Sequence, residues 1–348
     1  MTTSRTTVPS LVRIKPGALE RLGVYLARPG WHAPAVFLSA GMVPSILATV
    51  RHALDDAGVE PVVDEEVDTA SIEAAMQAFT ALPAACDAVV GIGGGRALDV
   101  AKYVAFLARK PYVAVPTSLS NDGFSSPGAS LTVDGERRSL PSALPYGVVV
   151  DTTVCGQAPL PLWHSGVGDL VAKITAVHDW KLAFHAVGTP VNDLAALLSD
   201  ATVHQFTANP SRDDEGMRLL GTALLLNGIA MEICGSSRPA SGSEHLISHA
   251  LDALSPGTHL HGMQVGVATY VVSHLQEQGT ARIASVLDRS GFWDTVRDRP
   301  FDRDTWLEAV RRAPTIKPDF HTILDEVDAP TEVARLLDGD ERLRGCFV

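Results

Sequence analysis

Asp87-Ala88-Val89-Val90-Gly91-Ile92-Gly93-Gly94-Gly95-Arg96-Ala97-Leu98-Asp99-Val100-Ala101-Lys102 passes from a β-branched run through consecutive glycines into a helical pattern. Val100, Val104 and Leu107 continue it at helical spacing, so the segment reads strand, turn, helix. Glycine lets the backbone approach a ligand closely, and the N–H groups and dipole at a helix N-terminus favour an anion such as a pyrophosphate. The same glycines also suit a plain tight turn. The pattern departs from Gly-x-Gly-x-x-Gly, because Gly91-x-Gly93 is followed by Arg96 where Gly or Ala would complete it. Apolar runs at 35–38 and 61–63 precede it, which places the turn after about the third strand, whereas the usual dinucleotide fingerprint follows the first.

Outward from this turn, strand-like runs at 36–39, 61–63, 88–92, 112–115 and 147–150 alternate with helical stretches, the pattern of a parallel sheet covered by helices. Asp134-Gly135, flanked by strand-like residues, predicts a small hairpin. After Ala158-Pro159-Leu160-Pro161 the chain turns almost wholly helical. The expected organisation is an α/β dinucleotide-binding domain over 1–155 and a helical metal- and substrate-binding domain over 156–348. The longest apolar run, 219–234, is interrupted by Asn227 and Glu232 and reads as a buried helix of the second domain.

That second half carries histidines at telling positions. His245 and His249 lie one helical turn apart and share a face, His261 follows, and Asp169 stands far upstream. Two imidazoles and a carboxylate suit Zn²⁺ or Fe²⁺ and leave coordination positions open for substrate oxygens, with one histidine to spare. Spacing alone equally allows two histidines that merely pack, and His178, His185, His259 and His274 lie in the same half.

Charge and cysteine usage narrow the class. Twelve more acidic than basic residues give a net charge of −12 over 348 residues, which argues against nucleic-acid or anionic-membrane partners. Cys86, Cys155, Cys234 and Cys346 show no Cys-x-x-Cys spacing, so neither a disulfide framework nor a thiolate metal site is indicated. The N-terminal residues lack the apolar core of a signal peptide and no stretch reads as a bilayer span, so a cytoplasmic enzyme acting on a small molecule is expected, a homo-oligomer being compatible with it.

Taken in order, residues 93–102, then Val115-Pro116-Thr117-Ser118-Leu119-Ser120-Asn121-Asp122-Gly123-Phe124-Ser125-Ser126-Pro127, Gly168-Asp169-Leu170, the His245/His249 helix and His261-Gly262 resemble the metal-dependent polyol dehydrogenases related to dehydroquinate synthase, and within them the sn-glycerol-1-phosphate dehydrogenase branch. The resemblance implies Asp169, His245 and His261 as metal ligands, with Zn²⁺ favoured over Fe²⁺. It implies Asp122, His249 and also Asp169 as substrate-contacting catalytic positions. Gly94, Gly95, Arg96, Ala97, Leu98, Asp99, Thr117, Ser118, Leu119, Ser120 and Ser126 match positions that bind NAD or NADP. Asn121 departs from the pattern, since many archaeal-type members have His before the Asp. Dihydroxyacetone phosphate is the implied ketone, with another polyol, sugar phosphate or cyclitol as the alternative. A dehydroquinate synthase-type lyase is the rival class, but the typical Asn-x-Gly-His-x-x-Gly-His is here Gly242-Ser243-Glu244-His245-Leu246-Ile247-Ser248-His249, and the first ligand is Asp169 rather than Glu.

The implied chemistry is hydride delivery to a carbonyl polarised by the metal, in a cleft between the two domains, with His249 ordering hydroxyls or relaying a proton and Asp122 accepting a hydrogen bond from another hydroxyl. Lys102 reads equally as a cofactor contact or a solvated side chain, and Arg137 and Arg138 as phosphate clamps or hairpin decoration. Trp163 and Trp180 read as packing residues. Asp179-Trp180-Lys181 matches the resemblance without an evident role. Small neutral residues, Ser39, Ala40 and Gly41, end what reads as the first strand, where an acid would repel a 2′-phosphate, so both NADH and NADPH are expected to serve.

Overall fold

A computed structural model of the chain describes residues 8–348. Among these residues, eight strands and fourteen α-helices follow in order. β1 (Leu11–Lys15), α1 (Leu22–Ala27), β2 (Ala35–Ser39), α2 (Pro44–Asp55), β3 (Val63–Val67), α3 (Ile72–Ala81), β4 (Val89–Gly93), α4 (Gly95–Ala108) and β5 (Tyr112–Pro116) lead to the hairpin β6 (Gly128–Val133) and β7 (Glu136–Pro141), then β8 (Gly147–Asp151) and α5 (Thr152–Gln157). The helical part comprises α6 (Leu160–Val187), α7 (Asp193–Ala208), α8 (Asp214–Cys234), α9 (Ser243–Leu254), α10 (His261–Leu275), α11 (Thr280–Ser290), α12 (Phe292–Asp298), α13 (Arg303–Ile316) and α14 (Ala329–Gly339).

Six strands form one parallel sheet in the order β1-β8-β5-β4-β2-β3. The inner strands β4, β5 and β8 are buried at every position, as continuous apolar runs must be when both faces of a parallel sheet are covered. The two edges differ. β3 reads Val63-Asp64-Glu65-Glu66-Val67 with its acids exposed, and β1 is only half-buried, which are charged and poorly covered edges that resist pairing with another chain. The sheet therefore has a true first strand upstream of 36–39. The expected first strand is β2, and the glycine turn follows the fourth strand rather than the third. β6 and β7 pair antiparallel across Asp134 (φ 52°) and Gly135 (φ 81°), the two left-handed residues that a tight hairpin turn requires.

The chain divides into two compact units, residues 8–158 with Arg212–Glu232, and Pro159–Ser211 with Ile233–Val348. The apolar run expected in the helical domain, most of α8, therefore packs with the sheet. Gly221 lies against Ile14 and Leu119, and Ser125 Oγ donates to Leu224 O at 2.9 Å beside Gly228. α8 is the one helix among the described residues long and apolar enough to cross a membrane, and slightly more than half of that stretch is buried against the protein. In the second unit the largest fully buried apolar side chains are Trp180, Trp306, Tyr270, Phe206 and Phe292; Trp163 is buried as well.

Candidate active site

In the first unit, the C-terminal ends of β2 and β4 form the topological switch point. The chain passes from β2 outward to β3, then returns to β4 and continues the other way to β5. Connections that leave in opposite directions open a crevice at the strand ends, where ligands bind in open α/β sheets. The glycine turn stands there. Gly93 has φ +130°, and a Cβ on it would collide with Ser39, so only glycine fits. Gly94 is the N-cap of α4, makes no side-chain cap, and donates its N–H to Ser39 Oγ at 2.9 Å. Beyond it, a Cβ on Gly95 would meet open space. An uncapped fourteen-residue helix whose first turn faces that space is a cradle suited to a pyrophosphate.

The other expected cofactor positions divide by direction. Arg96 reaches across the strand ends, donating to Asp68 O at 2.8 Å. Ala97, Leu98 and Leu119 are buried, which leaves only their backbone to serve a ligand. Thr117 follows β5 and donates its N–H to Gly93 O at 3.0 Å, placing the segment 117–120 beside the glycine turn. Asp99 turns inward to Lys102, with 3.7 Å between oxygen and nitrogen and both groups buried. Burial pushes the Asp99 carboxyl up and the Lys102 ammonium down from their ordinary values, each partly offset by the other.

Lys102 is thus no solvated side chain. Its Nζ donates to Gly123 O (2.5 Å) and Gly128 O (2.7 Å) and lies 3.4 Å from Ser126 Oγ. It pins the loop that carries Asp122 to the helix of the glycine turn. Asn121 has its own task there, because its Oδ1 accepts the Gly123 N–H at 2.9 Å and caps the short turn Asp122–Phe124. Arg137 and Arg138 stay exposed, bonded to Ser130 and Glu136 on the hairpin.

The second unit builds a different site. α6 and α10 cross at glycines: a Cβ on Gly168 would fall on the Gly262 carbonyl, and one on Gly262 on the Ser165 carbonyl, while Ser165 Oγ accepts the Gly262 N–H at 3.1 Å. This contact sets Asp169 of α6 beside His261, the first residue of α10. α9 brings His245 in its first turn. Asp169, His245 and His261 each offer a ligand atom within 4.8 Å of the others, the one such group among the described residues. His249, a turn further along α9 and half-buried, keeps its ring centroid 6.0 Å from that of His261 and 6.4 Å from that of His245, outside the set.

A second tier of groups orients this cluster. Glu244, fully buried, accepts the His245 Nδ1 at 2.9 Å, the Gly242 N–H at 2.6 Å and the Thr175 hydroxyl at 2.9 Å. That leaves His245 Nε2 facing Asp169 Oδ1 at 3.4 Å. Asp179, ten residues beyond Asp169 on α6, acquires a role as well. Its Oδ2 accepts the Ser243 N–H at 2.7 Å at the start of α9, and its Oδ1 the Ile323 N–H and the Gln276 amide. Burial, then the neighbouring Glu244, push the Asp179 carboxyl up to about 6.

Burial alone would raise the Asp169 carboxyl, but Lys173 Nζ at 3.5 Å, His245 and His261 outweigh it and hold it well below the usual carboxylate range. For His245, burial favours the neutral ring, yet hydrogen bonds to Asp169 and Glu244 prevail and raise its pKa above the ordinary 6.5. A buried carboxylate held ionised and two imidazoles with aligned second partners form a donor set that fits a divalent cation.

No sequence pattern singled out Glu244 or Lys173, and Asp179 stood out there without a role. Glu244 could have been found from its place beside His245, since metal-binding imidazoles usually give their other N–H to a carboxylate. The remainder are brought in by helix packing.

The family described as iron-containing alcohol dehydrogenase matches residues 13–159. Solved structures agree in fold: a probable glycerol dehydrogenase from Sinorhizobium meliloti 1021 superposes with TM-score 0.74 at 19% identity, covering 98% of this chain and 99% of that one, and a glycerol dehydrogenase from Schizosaccharomyces pombe with 0.71 at 20%, covering 98% and 91%. The fold is therefore the one that iron-containing alcohol dehydrogenases share, the dehydroquinate synthase-like fold. Curated relatives narrow it. The glycerol-1-phosphate dehydrogenase [NAD(P)+] of Thermofilum pendens is 36% identical over 330 residues, 93% of this chain and 94% of its own, and that of Pyrobaculum arsenaticum 34% identical over 327 residues, 91% and 92%. The chain belongs to the glycerol-1-phosphate dehydrogenase family.

Proposed function

We propose that this enzyme reduces dihydroxyacetone phosphate to sn-glycerol 1-phosphate with NADPH or NADH. The observation that carries this reading is the identity with the Thermofilum pendens enzyme along nearly the whole of both chains. The two groups the family implies supply Lewis acidity toward the ketone oxygen, from a divalent ion with Zn²⁺ favoured, and a hydride from the nicotinamide.

The chain's residues do the rest. Asp169, His245 and His261 would hold the ion, and Glu244 keeps His245 turned with Nε2 toward Asp169 Oδ1. The first turn of α4 receives the pyrophosphate through backbone N–H groups, with residues 117–120 and Ser126 beside it. His249, half-buried outside the ligand set, orders the substrate hydroxyls and moves a proton at its ring nitrogen. Asp122 accepts a hydrogen bond from a second hydroxyl. The enzyme works in the cytoplasm on this small molecule, with residues 1–155 serving the cofactor and 156–348 the metal and substrate.

Oxidation of NADPH and NADH is measured with dihydroxyacetone phosphate and with unphosphorylated dihydroxyacetone, and the product's configuration is determined with an enantiospecific coupling enzyme. Turnover of the phosphate to the sn-1 product is expected. Turnover confined to unphosphorylated ketones, or an sn-3 product, overturns the substrate assignment.

A further inference from the structure

His261 Nδ1 lies 3.1 Å from Ser248 Oγ, Ser248 Oγ lies 2.6 Å from Gln264 Oε1, and Gln264 Nε2 lies 3.1 Å from Asp252 Oδ1. Ser248 and Gln264 are buried, and Asp252 at the far end is half-buried. The residues come from one face of α9, Ser248 and Asp252, and from the first turn of α10, His261 and Gln264.

The direction of every bond in this row follows from its last member. An ionised carboxylate can only accept. Asp252 therefore accepts a hydrogen bond from the Gln264 amide nitrogen, which turns the amide oxygen toward Ser248. The oxygen in turn can only accept, so the Ser248 hydroxyl donates to it. With its one proton spent, Ser248 is left with lone pairs for His261 and must accept from Nδ1–H. Neutral imidazole carries one proton, so Nε2 is bare.

We infer that Asp252, acting through Gln264 and Ser248, holds His261 in its Nδ1–H tautomer and thereby keeps Nε2 available as a metal donor. This rests on the reading of Asp169, His245 and His261 as ligands. Asp252 is a positioning residue, since it touches neither ion nor substrate. The row is no proton wire, because a glutamine amide breaks it. Its function is polarity, fixed by a charge three hydrogen bonds from the ring. His245 reaches the same state in one step, with Glu244 on its Nδ1.

Asp252→Asn tests this with almost no change in shape. Asparagine can donate, so Gln264 can present its oxygen to residue 252 and its NH₂ to Ser248. Ser248 then donates to His261 Nδ1, and the proton moves to the nitrogen that should bind the ion. Zn²⁺ affinity is measured on metal-free full-length protein by competition with a chromophoric chelator. Loss of an orienting partner of a metal-bound histidine weakens binding about 10–100-fold, and Asp252→Asn is expected within that range while Asp252→Glu retains most of the affinity. A purely structural role for Asp252 predicts that the melting temperature of the metal-free protein falls in step; the tautomer role predicts that it does not.

The ring is also read directly, by nitrogen-15 NMR of the imidazoles in the metal-free parent. Nδ1–H on His261 is expected, and Nε2–H overturns the inference whatever the variants do. Parent-like Zn²⁺ affinity in Asp252→Asn overturns it too. His261→Ala separates the two levels: full-affinity Zn²⁺ binding by that variant removes the ligand assignment itself, whereas weak binding by it beside parent-like binding by Asp252→Asn removes only the inference.

Discussion

Asp169, His245 and His261 differ from His249 by a few ångströms, and substitution should divide them. Alanine at any of the three proposed ligands is expected to abolish turnover and lower metal content, as measured by elemental analysis of purified protein. His249→Ala is expected to keep the metal and lose turnover, since its ring stands outside the cluster; a loss of metal matching His245→Ala would exchange its role with that of a ligand. Acidity should act through His245. Its raised pKa means that the metal-free fold is stabilised by the protonated ring below about 6.5, the unfolded value, and loses this as pH rises through the higher folded value. The ion needs the neutral ring, so its stabilisation runs the other way. The rise in melting temperature on adding Zn²⁺ is expected to grow from pH 6 to pH 8, and a rise equal at both ends would exclude proton competition at His245.

At the level of elements, the crossing of α6 and α10 is the tightest demand. Gly262→Ala must push the helices apart because the new Cβ would fall on a backbone carbonyl. Overpacking of this kind costs about 1–3 kcal/mol, which urea unfolding would register. The same separation moves His261 from Asp169, so weaker Zn²⁺ binding should accompany it; intact binding would show that another contact holds the ligands together. At the end of β2, Ala40→Asp is expected to shift an enzyme that accepts both cofactors toward NADH, by setting a negative charge near the ribose 2′ position. A strong NADH preference in the parent, unchanged in the variant, would place the reading of the ribose elsewhere.

What could be read in advance was whatever a local pattern reports. The glycine turn, the Asp134-Gly135 hairpin and the buried strands β4, β5 and β8 each have a signature within about ten residues. β1 has none, and the acid-rich β3 is announced only by the short run 61–63 at its start, because edge strands need no continuous apolar run. Hydrophobicity predicted that most of α8 is buried, but its place in the second domain was inferred from chain order, and the helix packs in the first unit instead. Lys102 read equally as a cofactor contact or a solvated side chain, and only the folded loop 123–128 supplies the carbonyls that accept its hydrogen bonds. The four-membered row from His261 to Asp252 has a spacing, but no spacing states the direction of a hydrogen bond.

Across the whole molecule, the glycine turn and the metal cluster belong to different compact units, so their binding functions should separate. NADPH binding, followed by its fluorescence, is expected to survive in the Asp169→Ala and His261→Ala variants after their metal is gone. Conversely, Gly93→Ala is expected to weaken NADPH binding and leave Zn²⁺ affinity at the parent level. Loss of both ligands in either variant would mean that each unit needs the other's occupant to hold its form.

The return of Arg212–Glu232 to the sheet-bearing unit sets a timetable for synthesis. When the ribosome has made residue 158 all strands exist, yet the helix that lies on Ile14, Leu119 and Ser125 is still more than fifty residues away. The first unit must wait, with that apolar face uncovered, while α6 and α7 emerge. Residues after 232 then complete a second unit whose opening helices are older than the last helix of the first. Each unit therefore finishes only after the other has begun, and a nascent chain stalled before residue 212 is one that chaperones would be expected to hold.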